Sequence, residues 1–249
     1  MPDQPLVTHV LATLGRGGAE RLVIELAARL PARGFRTQVL VLFEHGELWR
    51  ELRDRNIRWA LVGGSLDMSR AELFRRLSRR LYPEPERRSG IVHTHLFGPD
   101  AWSSAARTLH NALHWIRGGC GAEPKFVSTA HNVDRDDSSL RRAARRWAAR
   151  RMDRVIAVSE DVKRYVTEDL GARPDRVAVI DAIISPAVRP RGARPFRDVP
   201  QLIMVARLET QKGHDTVLRA LAQVPPPWEL TIIGVGSLER ELKELAERS

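Results

Sequence analysis

A doubly wound, parallel α/β fold is what this sequence predicts, and three observations carry the prediction. Short apolar runs alternate along most of the chain with stretches whose apolar residues recur at three and four. The runs are apolar at nearly every position, as strands covered on both faces must be. A glycine-rich turn, Gly15 to Gly18, joins the first run to the first helical stretch.

The elements follow in order. Residues 6–13 read as a strand and 19–32 as a helix, with Leu22, Val23, Leu26, Ala27 and Leu30 on one buried face. Gly34 stands just past its end, where a left-handed cap suits glycine. Further strands are expected at 38–43, 58–62, 90–95, 125–130, 154–159 and 177–181, with helices near 46–55, 68–82, 99–117, 138–151 and 159–170 between them. Strands separated by helices require crossovers and hence parallel pairing.

A change of composition comes next. Residues 186–200 are rich in proline and arginine without periodicity and read as a linker between a 1–185 domain and a shorter 201–249 one. The pattern then restarts with a strand at 202–206, a helix at 215–222, a strand at 229–233 and a helix at 238–248. Two strands and two helices cannot cover both faces of their own sheet. The expectation is a partial second domain of about 50 residues, below the usual domain size. Its strands should leave apolar side chains uncovered at 202–206 and 231–233.

Composition narrows the class. The 249 residues carry a formal charge of +10 and one cysteine, Cys120. An internal disulfide is excluded, and a reducing, cytoplasmic location is expected. No apolar run approaches the ~20 residues of a membrane-spanning helix. Arginines cluster at 75–88 and 141–154. They suit either solvated helix faces, with Ala, Trp147 and Met152 supplying the buried side, or docking on an anionic membrane surface. A nucleic-acid partner is disfavoured, because no RNA-binding aromatic signature or zinc-finger spacing accompanies the charge.

Two motifs carry chemistry. Around Gly15, Gly17 and Gly18, backbone amides at a helix start can approach a phosphate or a sugar hydroxyl. A dinucleotide fingerprint would need a small residue where Glu20 stands. Glu44, at a strand end, keeps a nicotinamide-dependent oxidoreductase open as an alternative. In the second motif, Arg207 follows a strand and Lys212 lies on the connection to the next helix. Two cations at a strand's carboxyl end suit a diphosphate whose charge grows as it leaves.

These motifs, with Gly17-Gly18-Ala19-Glu20-Arg21, His93-Thr94-His95, Ser128 to Asn132, Val155 to Glu160 and Ala206-Arg207 to Lys212-Gly213, resemble in order and spacing the family 4 glycosyltransferases. The resemblance covers nearly the whole chain. It implies a Rossmann-like N-terminal domain of the GT-B architecture with an incomplete second Rossmann-like domain. It further implies transfer of a sugar from a nucleotide-diphosphate sugar, with retention and no required metal or cofactor, to a glycan or lipid-linked acceptor. By the same resemblance Arg207, Lys212, Gly17 and Gly18 would bind the donor diphosphate, His131 would act at the donor sugar, and Glu20, His95 and Ser159 would line the acceptor side. The leaving phosphate would take the acceptor's proton. Asp181-Ala182-Ile183-Ile184 departs from the family's Pro-Asn-Gly turn. The family's glutamate pair lies beyond residue 249, so a chain inactive by itself is expected, and a non-catalytic domain that binds an acceptor or partner stays open. Glu239 and Glu247 have that pair's spacing but read as a solvated helix face.

Other residues are weaker candidates. His110 and His114 are spaced like metal ligands, yet Asn111 stands where a zinc protease needs glutamate, so surface histidines are expected. His93 and His95 share one strand face, either at a cleft or against a helix. Cys120 is expected to be a loop thiol without a role.

Overall fold

The computed structural model describes residues 4–64, 68–82, 90–116, 123–134, 138–182 and 198–248, with Arg248 by its backbone only. Cys120, residues 83–88 of the first arginine cluster and most of the expected linker lie outside the described residues. The chain divides into two compact units, Met1–Ala187 and Val188–Ser249.

The first unit is built on seven parallel strands: β1 (Leu6–Thr13), β2 (Arg36–Glu44), β3 (Trp59–Leu61), β4 (Ile91–His95), β5 (Lys125–Ala130), β6 (Arg154–Ala157) and β7 (Val177–Val179). Their order across the sheet is β3-β2-β1-β4-β5-β6-β7, so the direction of winding reverses between β1 and β4. The helices are α1 (Gly18–Arg29), α2 (Trp49–Asp54), α3 (Arg70–Leu81), α4 (Phe97–Ile116), α5 (Ser139–Ala149) and α6 (Glu160–Arg164).

Alternation along each strand divides the core into two layers. Leu11, Val39 and Val41 pack with Val23, Ile24 and Ala27 of α1. Val10, Leu40, Leu42, Val92 and Phe126 face the other way, in one cluster with Leu73, Leu77 and Leu81 of α3 and Ala106 of α4. Phe126 is fully buried there, and truncating such a ring to alanine costs about 3–5 kcal/mol. Three helices begin on serine caps: Ser69 accepts from the Glu72 N–H, Ser138 from the Arg141 N–H and Ser159 from the Val162 N–H.

The expected elements are all present, with shifts at their ends. Strand β7 stops at Val179, and α6 passes into a π-helical turn, Tyr165–Asp169, that buries Tyr165 and Val166. His110 and His114 are not free surface residues: the His110 ring stacks on Tyr82 at 3.7 Å between centroids, and His114 stacks on His110. Within α5, Ala148 is buried and Trp147 is half-buried. Its arginines are largely engaged: Arg145 pairs with Asp134 at 2.8 Å, Arg146 donates to the Asp169 carbonyl, and Arg151, just past the helix, lies over the Trp147 ring.

The second unit carries β8 (Gln201–Val205), α7 (His214–Leu221), β9 (Glu229–Ile233) and α8 (Glu239–Arg248), with β8 and β9 parallel. Leu208, Leu218 and Leu242 form its small core. Ile203 and Val205 are 66% and 69% exposed, the uncovered apolar side chains expected of a two-stranded sheet. Glu239 pairs with Lys243 one turn on, and Glu247 is exposed, as a solvated helix face requires.

Candidate functional site

In open parallel sheets, ligands bind beyond the carboxyl ends of strands where the winding reverses. The β1–α1 turn and the end of β4 flank that point in the first unit. Gly17 is the N-cap of α1, and a Cβ there would overlap the carboxylate of Glu20. Gly18 differs: it is exposed, and a Cβ would meet nothing within 4 Å. The Glu20 carboxylate is the movable end of a flexible side chain, and Gly17 has an extended φ of −140°. Packing therefore demands glycine at neither position, and the first turn of α1 is open to solvent at Gly18.

Pairing in register sets His9 of β1 beside His93 of β4, with His95 one step nearer the carboxyl edge. Their neighbour His131 directly follows β5. His9 Nδ1 lies 3.3 Å from His95 Nε2, and His95 Nδ1 lies 3.4 Å from His131 Nε2. His93 Nε2 is 2.8 Å from the Thr129 hydroxyl. His9, His93 and His95 are buried, and His131 is half-buried. Burial disfavours the charged imidazole and pushes His9 and His131 down to about 4. His93 and His95 fall well below the usual histidine value, first through burial and then through repulsion by their neighbouring histidines. All four are thus neutral at pH 7. His9, His93 and His95 each offer a nitrogen within 4.8 Å of the others, close enough to share a metal ion.

A second polar layer lies on the opposite sheet face. Asp100, in the first turn of α4, accepts from the hydroxyls of Thr94 and Ser128. Burial raises its carboxyl to about 6, against those hydrogen bonds and the charge of Arg145. Asp100, Ser128, His131 and Arg145 border a cavity of about 40 Å³ together with Leu96. Leu96 itself has φ 69°, the left-handed region where a branched side chain is strained, and it forms the corner between β4 and α4. Ser159 stands at the end of β6, where its oxygen caps α6 at 3.3 Å from the Val162 N–H.

In the second unit, Arg207 and Lys212 are both exposed on the connection from β8 to α7. Neither forms an ion pair among the described residues. A short 3₁₀ turn, Thr210–Lys212, ends at Gly213, whose φ of 68° is the left-handed conformation that glycine adopts at least cost. Glu209 ties this loop to the one after β9, accepting from the Ser237 N–H at 3.3 Å and the Ser237 hydroxyl at 2.9 Å. Close approach of Gly234 to the Ala206 carbonyl and of Gly236 to the Leu208 backbone leaves no room for a side chain at either glycine.

The fold therefore brings His95 and His131 together and sets the β1–α1 glycines and Ser159 at the same carboxyl edge of the sheet. Arg207 and Lys212 share one loop of the other unit. Sequence reasoning missed His9, Asp100, Leu96 and Glu209. His9 was visible only as a polar residue in a buried strand, and Asp100 only as an acid opening a helix. The Glu209 partner, Ser237, is 28 residues away, beyond the reach of any local pattern.

Comparison with known proteins places the chain. The family model described as Glycosyltransferase Family 4 matches residues 16–187, and one described as Glycosyl transferases group 1 matches residues 191–249. A D-inositol 3-phosphate glycosyltransferase of Thermomonospora curvata is 26% identical, with 88% of this chain and 55% of that protein covered. Among solved structures, Anabaena Alr3699/HepE with UDP and glucose superposes with a TM-score of 0.73 at 18% identity, covering 98% of this chain and 66% of that one. A glycosyltransferase from Rickettsia africae superposes with a TM-score of 0.69 at 21% identity, covering 99% and 65%. The chain thus spans about half the length of the curated relative and less than two thirds of either solved structure. These likenesses establish the Rossmann-like GT-B fold type, and on a family match that runs through most of the first unit the chain belongs to Glycosyltransferase Family 4.

Proposed function

We propose that this chain serves a retaining transfer of a sugar from a nucleotide-diphosphate donor to a glycan or lipid-linked acceptor. The observation that carries the reading is the pair of exposed cations on the loop after β8, Arg207 and Lys212, which have no ion-pair partner among the described residues. Held there by Gly213 and by the Glu209–Ser237 bonds, they suit the two phosphates of such a donor. A solved neighbour contains UDP and glucose, which supports a nucleotide-sugar donor.

In the reaction an acceptor hydroxyl oxygen bonds to the anomeric carbon as that carbon's bond to the diphosphate oxygen breaks. The hydroxyl proton passes to the departing phosphate. Arg207 and Lys212 stabilise the growing negative charge, and no metal is needed for that neutralisation. Gly17 and Gly18 offer backbone N–H groups to the donor diphosphate, Glu20 and Ser159 take the acceptor side, and His131, backed by the buried His95, touches sugar. Calorimetry with UDP, GDP, ADP and their sugar conjugates tests the reading. Binding by the wild-type chain and its loss in Arg207→Ala/Lys212→Ala is expected. A well-folded chain that binds none of them would instead favour a non-catalytic domain.

We further propose a peripheral site of action on the cytoplasmic face of an anionic membrane. Among the described residues no helix is long and apolar enough to cross a membrane. Trp115 and Ile116, at the end of α4, are 84% and 71% exposed, and α4 packs on the arginine-rich α5. An exposed apolar end on a helix that packs against an arginine-rich one suits an anionic lipid surface.

A further inference from the structure

The hydrogen-bonded histidines His9, His95 and His131 constrain one another's protons. A neutral imidazole has one N–H donor and one acceptor nitrogen. Because His95 uses both nitrogens, only two proton orders satisfy both contacts. In the first, His9 Nδ1–H donates to His95 Nε2, and His95 Nδ1–H donates to His131 Nε2. In the second, every donor and acceptor is exchanged, so His131 donates inward and His9 Nε2 must carry the terminal proton.

The far end decides between them. His9 Nε2 is buried and has no hydrogen-bond partner among the described residues. The second order places an unpaired N–H there, and orphaned buried N–H groups are the rarer defect in folded proteins. The first order leaves only a bare lone pair. His93 enters neither of these contacts among the described residues; its Nε2 lies 2.8 Å from the Thr129 hydroxyl.

We infer that His9 and His95 are positioning residues that hold His131 as its Nδ1–H tautomer, so that His131 meets its ligand as a hydrogen-bond donor to a hydroxyl or phosphate oxygen and not as a base. The nature of that ligand rests on the function proposed above. The tautomer rests on the histidine geometry alone. It is a distinctive state, because free neutral histidine favours Nε2–H.

Long-range ¹H–¹⁵N correlation on the uniformly labelled full chain at pH 7.5, with chelator present, reads the tautomer directly. His131→Asn assigns the signal by its disappearance. The expected result is a protonated Nδ1 and an acceptor-type Nε2 on His131. His95→Asn, whose amide N–H₂ can take the place of Nδ1–H, should keep that state. His95→Phe should convert His131 to Nε2–H or to a mixture. A wild-type His131 carrying Nε2–H overturns the inference, and so does a tautomer unchanged in folded His95→Phe. If neither variant folds, the wild-type spectrum decides alone. Stoichiometric zinc binding, in chelator-free buffer, that shifts His9, His93 and His95 together would also overturn it, because two lone pairs directed at one ion leave no His9–His95 hydrogen bond. Loss of nucleotide binding with the tautomer intact would strike only the proposed function.

Discussion

Glu209 accepts two hydrogen bonds from Ser237, one from its backbone N–H and one from its hydroxyl. The pair joins the loop after β8 to the loop after β9, and the hydrogen bonds from Ser237 hold the Glu209 carboxyl below its usual range. Arg207 and Lys212 occupy the same loop as Glu209. Glu209→Ala should therefore weaken nucleotide binding by about tenfold through loss of preorganisation, while the exposed position leaves thermal stability almost unchanged. Ser237→Ala should act in the same direction, and the double variant should be no worse than Glu209→Ala alone. Additive losses in calorimetry would show that the two residues act separately.

Acid should destabilise the first unit. His9 and His131 are lowered to about 4, and His93 and His95 also fall below the unfolded value near 6.5. Between pH 6.5 and pH 4 the unfolded chain binds protons that the folded chain refuses, so stability falls with pH across that window. His9 alone accounts for about 2 kcal/mol at pH 5. Asp100 opposes this trend: its carboxyl is raised to about 6, and its contribution is greatest below its unfolded value and lost as pH rises through 6. Four histidines outweigh one carboxyl. Urea denaturation at pH 7.5 and pH 5.0 should show a lower midpoint in acid, and equal midpoints would refute the assignment.

Leu96 holds a left-handed backbone at the corner from β4 to α4. Leu96→Gly should change stability by less than about 1 kcal/mol, because relief of strain offsets lost packing and added unfolded-state freedom. Leu96→Val places a β-branched residue at the same φ and should cost about 1–3 kcal/mol. Denaturant titration of the two variants separates strain from side-chain burial. Equal losses would mean that packing alone matters.

Trp115→Ser/Ile116→Ser should reduce association with vesicles containing anionic lipid by at least about tenfold. Sedimentation at moderate salt measures it. Wild-type protein that prefers neutral and anionic vesicles equally would remove the membrane proposal.

Much of the fold was legible because its signals are local. The glycine turn before α1, the apolar face of α1 spaced at three and four, and the left-handed Gly34 just past it are each set within a few residues. Even the uncovered Ile203 and Val205 follow from counting strands against helices. Reading His110 and His114 as surface residues missed their stacking, because the ring on His110 belongs to Tyr82, on another helix's end, and His114 stacks in turn on His110.

By itself the sequence determined the order of strands and helices, the break between two units, the glycine turn and the cationic loop of Arg207 and Lys212. Hydrophobic period and backbone preference act over short spans, so each could be read from neighbouring residues. Only the tertiary structure decided that His9 would touch His95, that His95 would touch His131, and that Ser237 would hold Glu209. Period-two alternation says which face a strand residue occupies, but register between β1 and β4 is set by pairing across 86 residues of chain, from His9 to His95. The proton order that follows is a property of the assembled sheet.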